Sequence, residues 1–168
     1  MRTSEARGFT LLELLVVIAL VAILTGTVAL GMGQADVEYR LAGHADQLAY
    51  RIELARQFAL QRNREWGLFV ESERIRFVEY DPEAGRWVTQ NKDPFKSLKG
   101  FDGVRFRAET ETLARLPSGR RNALPDVLLF SSGETTPFTL YLEPRTTGRA
   151  WSVHSDGLSR VRAERPPS

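Results

Sequence analysis

Two hydrophobic periods divide the chain. From Phe9 to Gly33 the residues are apolar almost without interruption, broken by Glu13 and a few small hydroxyl residues. The 20 positions from Leu14 to Gly33 carry no charge, enough to cross a hydrocarbon core of roughly 30 Å at about 1.5 Å per residue. From Gln34 to Arg64 the pattern becomes amphipathic. Val37, Leu41, Ala45, Leu48, Ile52, Ala55 and Ala59 recur at intervals of three and four, with Phe58 bordering the stripe. Asp36, Glu38, Arg40, Asp46, Arg51, Glu53 and Arg56 fall mostly on other faces. No Pro interrupts Phe9 to Arg64, and one continuous helix over that range would be about 84 Å long at about 1.5 Å per residue. Gly31, Gly33 and Gly43 are the expected bends, since Gly lowers helix propensity by about 1 kcal/mol relative to Ala.

After Asn63 the period switches to two. Strands are expected over Trp66–Val70, Arg74–Tyr80, Arg86–Gln90, Val104–Ala108, Val127–Phe130, Pro137–Glu143, Ala150–His154 and Leu158–Arg162. Asp81-Pro82-Glu83-Ala84-Gly85 is a turn signal joining two of them as a hairpin. Glu109 to Asp126 lacks periodicity and holds two Pro and one Gly, so it reads as a loop. The tail from Arg165 through two Pro to Ser168 is expected to be disordered. The sheet needs its apolar face covered, and the amphipathic half of the helix can cover it. The expected fold class is α+β: a long N-terminal helix, half transmembrane and half amphipathic, packed on a β-rich two-sheet head.

The polar residues of the first segment then decide its nature. Residues 1–8 are short and polar, with Arg2 and Arg7. A secretory signal would have an apolar region of about 7–15 residues and then a small-residue cleavage site, and the run here is longer. The positive-inside rule puts Arg2 and Arg7 in the cytoplasm and the rest of the chain beyond the inner membrane. An ordinary signal anchor has no use for Glu13, because a carboxylate at mid-helix in a membrane costs about 2.5–3.5 kcal/mol.

The run Gly8-Phe9-Thr10-Leu11-Leu12-Glu13 resembles the leader of type IV pilins and type II secretion pseudopilins. That resemblance implies cleavage after Gly8 by prepilin peptidase on the cytoplasmic face. It implies N-methylation of Phe9, and pairing of Glu13 with the N-terminal amine of a neighbouring subunit during assembly. The physics agrees, since a carboxylate in an apolar setting needs a cation. Further on, Asn63-Arg64-Glu65-Trp66, Ser131-Ser132-Gly133-Glu134 with Pro137-Phe138, and Ser152 to Gly157 resemble in order and spacing the H-type minor pseudopilins of the GspH/FimT pilin-like family. The implied role is structural: a tip component of the periplasmic pseudopilus that helps export folded proteins across the outer membrane. The implied partners are the minor pseudopilins of I, J and K type, the major pseudopilin of G type, the prepilin peptidase/methyltransferase, the inner membrane and secreted substrates. No cofactor and no reaction are expected. The expected organisation is leader 1–8, transmembrane and assembly helix 9–33, amphipathic continuation 34–64, periplasmic head 65–163 and tail 164–168.

Composition and candidate chemistry change little. A net charge of +2 with nearly balanced signs argues against a general nucleic-acid binder. The absence of Cys excludes disulfides and Cys-based zinc sites. His44 lies beside the apolar stripe without a partner at metal-ligand spacing. Ser132, His154 and Asp156 suggest a hydrolase triad only superficially, because G-x-S-x-G is missing. Glu134 and Glu143 read as solvated charges and not as paired catalytic acids. Trp66, Trp87 and Trp151 sit in strand contexts and read as packing residues. The rival function is a FimT-type minor pilin that binds DNA, for which Arg160, Arg162 and Arg165 near the end and Arg120 and Arg121 in the loop would contact phosphates. Alternating Arg on a terminal strand equally serves to keep a sheet edge solvated.

Overall fold

The structure, a computed structural model, describes residues 11–101, 103–110, 124–145 and 149–165, and along its helix it describes no side chains from 24 to 37. The single helix α1 spans Leu11–Arg62 and is helical through Gly31, Gly33 and Gly43. The chain divides after Val37 into two compact units. In the first, the large apolar side chains from Leu11 to Ile23 are exposed. Among the described residues no helix is long and apolar enough to cross a membrane, and the stretch from 24 to 33 that would complete the expected span lies outside the described side chains.

In the second unit the amphipathic stripe is real. Leu41, Ala45, Leu48, Ile52, Ala55 and Ala59 are buried, joined by Ala49. The helix ends two residues earlier than its pattern predicts, for a reason of backbone geometry. Asn63 adopts a left-handed conformation (φ 49°) that Asn tolerates better than most residues. The Arg64 N–H then donates to the Ala59 carbonyl (3.1 Å) and the Asn63 N–H to the Leu60 carbonyl (3.4 Å), which is the Schellman closure.

Among the described residues nine strands follow. β1 (Trp66–Glu71), β2 (Arg74–Asp81), β3 (Arg86–Thr89) and β6 (Val127–Leu129) form one antiparallel sheet in the order β3-β2-β1-β6. The two-residue β4 (Leu98–Lys99) joins the edge of β2 that also carries β3. β5 (Val104–Thr110), β7 (Phe138–Pro144), β8 (Trp151–Ser155) and β9 (Arg162–Glu164) form the second antiparallel sheet in that order. The registers align Leu68 with Phe77 in one sheet and Phe106 with Leu142 in the other, so each sheet turns an apolar face inward. A backbone bond ties the sheets together, from the Phe106 N–H on β5 to the Ser72 carbonyl between β1 and β2 (2.9 Å), and the Gly100 N–H extends the β4 pairing to the Glu73 carbonyl (2.8 Å).

Two expectations need correction, and the segment from Asp93, which carries no periodic signal in the sequence, proves to be packed. Phe95 is buried, its ring lies 4.7 Å from Trp66, 5.2 Å from Phe58 and 5.7 Å from Phe77, and β4 follows it. A lone aromatic without periodicity gives no strand signal, so tertiary packing alone reveals it. The last strand is not Leu158–Arg162 but Arg162–Glu164, because Leu158 and Ser159 are taken up by a turn on Asp156. The tail assignment 164–168 also shifts. Glu164 belongs to β9 and Arg165 forms an ion pair with Glu38, while 166–168 lie outside the described residues.

Replacing Phe95 with Ala therefore removes the centre of the aromatic cluster. The expected cost is about 3–5 kcal/mol of unfolding free energy. Denaturant melts followed by circular dichroism measure it, and a loss below about 1 kcal/mol would place Phe95 outside the core.

Candidate assembly surface

The sequence singles out two kinds of site, the leader helix and the turns of the head. Gly8 and Phe9 lie outside the described residues. Glu13 is in the first turn of α1, an exposed carboxylate among exposed Leu11, Leu12, Leu14 and Leu15. Isolated helices of this kind are costly in water, because a face apolar all round has nothing to bury it. The segment is built to be covered.

The two head turns are brought together against the C-terminal part of α1. In the first, the Gly133 N–H donates to the Phe130 carbonyl and the Phe130 N–H to the Glu134 carbonyl, both at 2.9 Å. Gly133 has φ +88°, which admits Gly at no steric cost. Glu65, just past the helix, accepts from the Ser131 N–H (2.7 Å) and the Ser131 hydroxyl (2.9 Å). In the second turn Asp156 accepts from the N–H groups of Leu158 (2.9 Å) and Ser159 (2.7 Å) and from the Ser159 hydroxyl (2.8 Å). These donors, led by the Ser159 and Leu158 N–H groups, hold the Asp156 carboxyl down at about 2, below its ordinary 3.8. The turns touch each other: the Thr135 N–H donates to the Gly157 carbonyl at 2.8 Å. Gly157 has φ +98°, and a Cβ there would stand 2.8 Å from the Thr135 carbonyl oxygen, so only Gly fits.

Helix side chains then grip the turns. Arg56 donates to the Ser159 carbonyl (2.9 Å), and Glu53 accepts from the Val161 N–H (3.4 Å). Arg62 at the helix end and Arg64 just past it reach the largely buried Glu79 on β2 at 3.3 and 3.7 Å. Sequence reasoning picks out both segments, and Glu65 within a third, as family-like motifs but misses the contacts that Glu53, Arg56, Glu65 and Glu79 make. Their partners lie far away along the chain, so no local spacing announces them.

The rival sites fall apart in the fold. The Asp156 carboxylate is committed to its own turn, and His154 lies on β8 opposite Thr139 and Arg162, between the buried Val153 and Ser155. Glu143 accepts from Arg107 at 2.7 Å. His44 stacks on Phe101 with centroids 3.7 Å apart, and among the described residues no group of acidic and imidazole ligands could hold a metal. Arg160 and Arg162 are exposed on either side of buried Val161, Arg165 is paired with Glu38, and Arg120 and Arg121 lie outside the described residues.

The family model of the type II transport protein GspH matches residues 44–158, and that of the prokaryotic N-terminal methylation motif matches residues 4–29. The chain belongs to the GspH family. The type II secretion system protein H of Pseudomonas aeruginosa is 34% identical to it, over 98% of both chains. That of Aeromonas hydrophila is 27% identical, over 96% of this chain and 95% of its own. Among solved structures, the minor pseudopilin EpsH of the Vibrio cholerae type 2 secretion system superposes with a TM-score of 0.61 at 22% identity. That match covers 76% of this chain and 98% of EpsH. The solution structure of Escherichia coli GspH superposes with a TM-score of 0.58 at 18% identity, over 79% of this chain and 91% of its own. The pilin-like α+β fold and the type II secretion pseudopilin assignment both stand, and the FimT-type alternative is not favoured. GspH proteins with this motif are membrane-anchored structural components of the periplasmic pseudopilus, and their partners are other pseudopilins.

The depressed Asp156 carboxyl makes the second turn sensitive to acid. A carboxyl held below its unfolded value contributes stability above that value and loses it as pH falls through the folded one. The stability gap between the native chain and Asp156→Ala should therefore be full at neutral pH and shrink from 3.8 towards about 2. Urea melts of both proteins across that range read it, and a gap that stays constant with pH would refute the turn's dependence on charge.

Proposed function

We propose that this chain is a minor tip subunit of the type II secretion pseudopilus that carries no reaction of its own. Its leader is removed after Gly8, Phe9 becomes the methylated N-terminus, and Glu13 receives the N-terminal amine of a neighbouring subunit. Residues 9–33 cross the inner membrane once, with the N-terminus cytoplasmic, until the subunit is drawn into the fibre. The head from 38 onward works in the periplasm, where it meets the I, J and K tip subunits and the major G-type subunit. Prepilin peptidase acts on it as a substrate.

The observation that carries this reading is Glu13 in the first turn of an exposed, otherwise apolar helix that lies within the matched methylation motif. In a membrane such a carboxylate costs about 2.5–3.5 kcal/mol at mid-helix, and a subunit-to-subunit ion pair offsets that cost once the fibre forms.

Two variants separate the steps. Gly8→Ala should block processing and leave a precursor that still carries residues 1–8, as read by intact mass. Glu13→Ala should insert and be processed normally yet co-purify with the other tip subunits at a level reduced roughly tenfold or more, the scale of losing one buried ion-pair partner. A mature protein beginning at Phe9 from the first variant, or normal co-purification of the second, would overturn the proposal.

A further inference from the structure

The two edges of the first sheet are finished differently. At the β6 edge the chain doubles back. The Leu128 N–H donates to the Thr136 hydroxyl (3.1 Å) and the Thr136 N–H to the Leu128 carbonyl (2.9 Å), so that edge is closed. At the β3 edge the outer backbone groups stay open. The Gln90 N–H donates to the Phe77 carbonyl (2.8 Å), which sets the phase of the β2–β3 ladder. The backbone groups of Arg86, Val88 and Gln90 face β2, and those of Trp87 and Thr89 face away from it. Among the described residues no group meets the N–H or the carbonyl of Trp87 or Thr89 on that outer side. An open row of donors and acceptors is a template for one more strand.

Positive charge gathers at the same edge. The three lysines of the chain, Lys92, Lys96 and Lys99, all fall in the segment that leaves β3 and ends in β4, against one acid, Asp93. All three are exposed, as is Arg86 at the start of β3. Among the described residues none of these four cations forms an ion pair. The register extends the field. Val88 stands opposite Glu79, and Glu79 holds both Arg62 (3.3 Å) and Arg64 (3.7 Å), two guanidinium groups on one carboxylate. Arg86 stands opposite Asp81, whose carboxylate is taken by the N–H groups of Glu83 (3.0 Å) and Ala84 (3.2 Å) in its own turn. Directly opposed residues share one face with Cβ atoms about 4.5–5.5 Å apart, so Arg86, Val88 and the arginines on Glu79 form one surface. Val88 is 38% exposed, and it is the strand residue among the exposed large hydrophobic side chains described. On the other face Trp87 packs against Tyr80 with ring centroids 5.3 Å apart.

We propose that the free edge of β3 is a docking site for an extended acidic segment of a partner protein. The segment adds as a further strand through the outward backbone groups of Trp87 and Thr89, with its carboxylates beside Arg86. Charges on an edge strand repel edges of like sign, and the same charges select an acidic strand. A second copy of this chain is the wrong occupant, because its β3 would bring the same cations. The inference goes beyond the assembly role and does not depend on it.

The test uses the full chain in detergent and two labelled synthetic peptides, one alternating Val and Asp, the other alternating Val and Lys. Fluorescence anisotropy should show the acidic peptide binding at least about tenfold more tightly, with affinity falling as salt rises. Amide hydrogen exchange at Trp87 and Thr89 should slow when it binds. Thr89→Pro removes one outward N–H while leaving the β2 ladder intact, and should weaken binding about threefold to tenfold, the scale of one hydrogen bond. If that variant melts at a lower temperature than the native chain, Arg86→Glu with Lys92→Glu replaces it, with a loss of roughly tenfold or more expected. No binding of the acidic peptide, equal binding of the two peptides, or binding without protection of Trp87 and Thr89 overturns the site. Concentration-dependent self-association that Thr89→Pro abolishes also overturns it, and assigns the edge to a second copy.

Discussion

The axial register of α1 on the head is the constraint from which the rest of the structure follows. Apolar burial and directional polar contacts set it together. Sliding the helix by one turn, about 5.4 Å, puts Ala45, Ala49, Ile52 and Ala59 where Leu41, Ala45, Leu48 and Ala55 stand, apolar for apolar, but it puts Glu53 in the place of Ala49, Arg56 in the place of Ile52 and Asn63 in the place of Ala59. Burial therefore opposes a slip, and the polar contacts sharpen the choice. Arg56 meets one carbonyl at 2.9 Å, and Glu65 meets one residue with both oxygens at 2.7 and 2.9 Å. A one-turn slip would break each of these and leave partly buried polar groups unsatisfied, at about 1–3 kcal/mol apiece.

Those polar contacts work only if the turns they hold are stiff. Both turns contain a glycine at positive φ, and Gly157 also leaves room for the Thr135 carbonyl that a Cβ would strike. Asp156 ties the second turn to itself with three bonds, and the Thr135 N–H ties it to the first. The sheets anchor the assembly from behind, since β6 leads directly into the first turn, and β8 leads into the second. Two of the motifs that resemble a family in the bare sequence are thus the fixed half of a helix-to-head joint.

Much of this was legible in advance because it is local. The three-and-four spacing from Leu41 to Ala59 is written in consecutive turns of one helix, and the alternation of Arg74-Ile75-Arg76-Phe77 is written in one strand. The turn residues announce themselves through Gly133 and Asp156-Gly157. What could not be read is non-local. Glu65 and Ser131 are 66 positions apart, and nothing near either one names the other. Phe95 sits in a segment without period, and its place in the aromatic cluster follows from three different elements meeting there. The helix end fell two residues short because Asn63 took a left-handed turn that hydrophobic spacing does not encode. The leader residues Gly8 and Phe9 were legible as a motif alone.

A joint fixed in register also explains why a subunit of this kind spends polar contacts so freely near its helix end. In the proposed role the subunit is held in its fibre through α1, and any load on the head then passes along that helix. Apolar contacts are non-directional and oppose small displacements along their own axis only weakly. Hydrogen bonds and ion pairs set across the sliding direction resist it, since their strength falls steeply with displacement and misalignment. Glu79, largely buried and reached by both Arg62 and Arg64, stands where the helix hands over to β1, and so takes the load at the point where the chain changes direction.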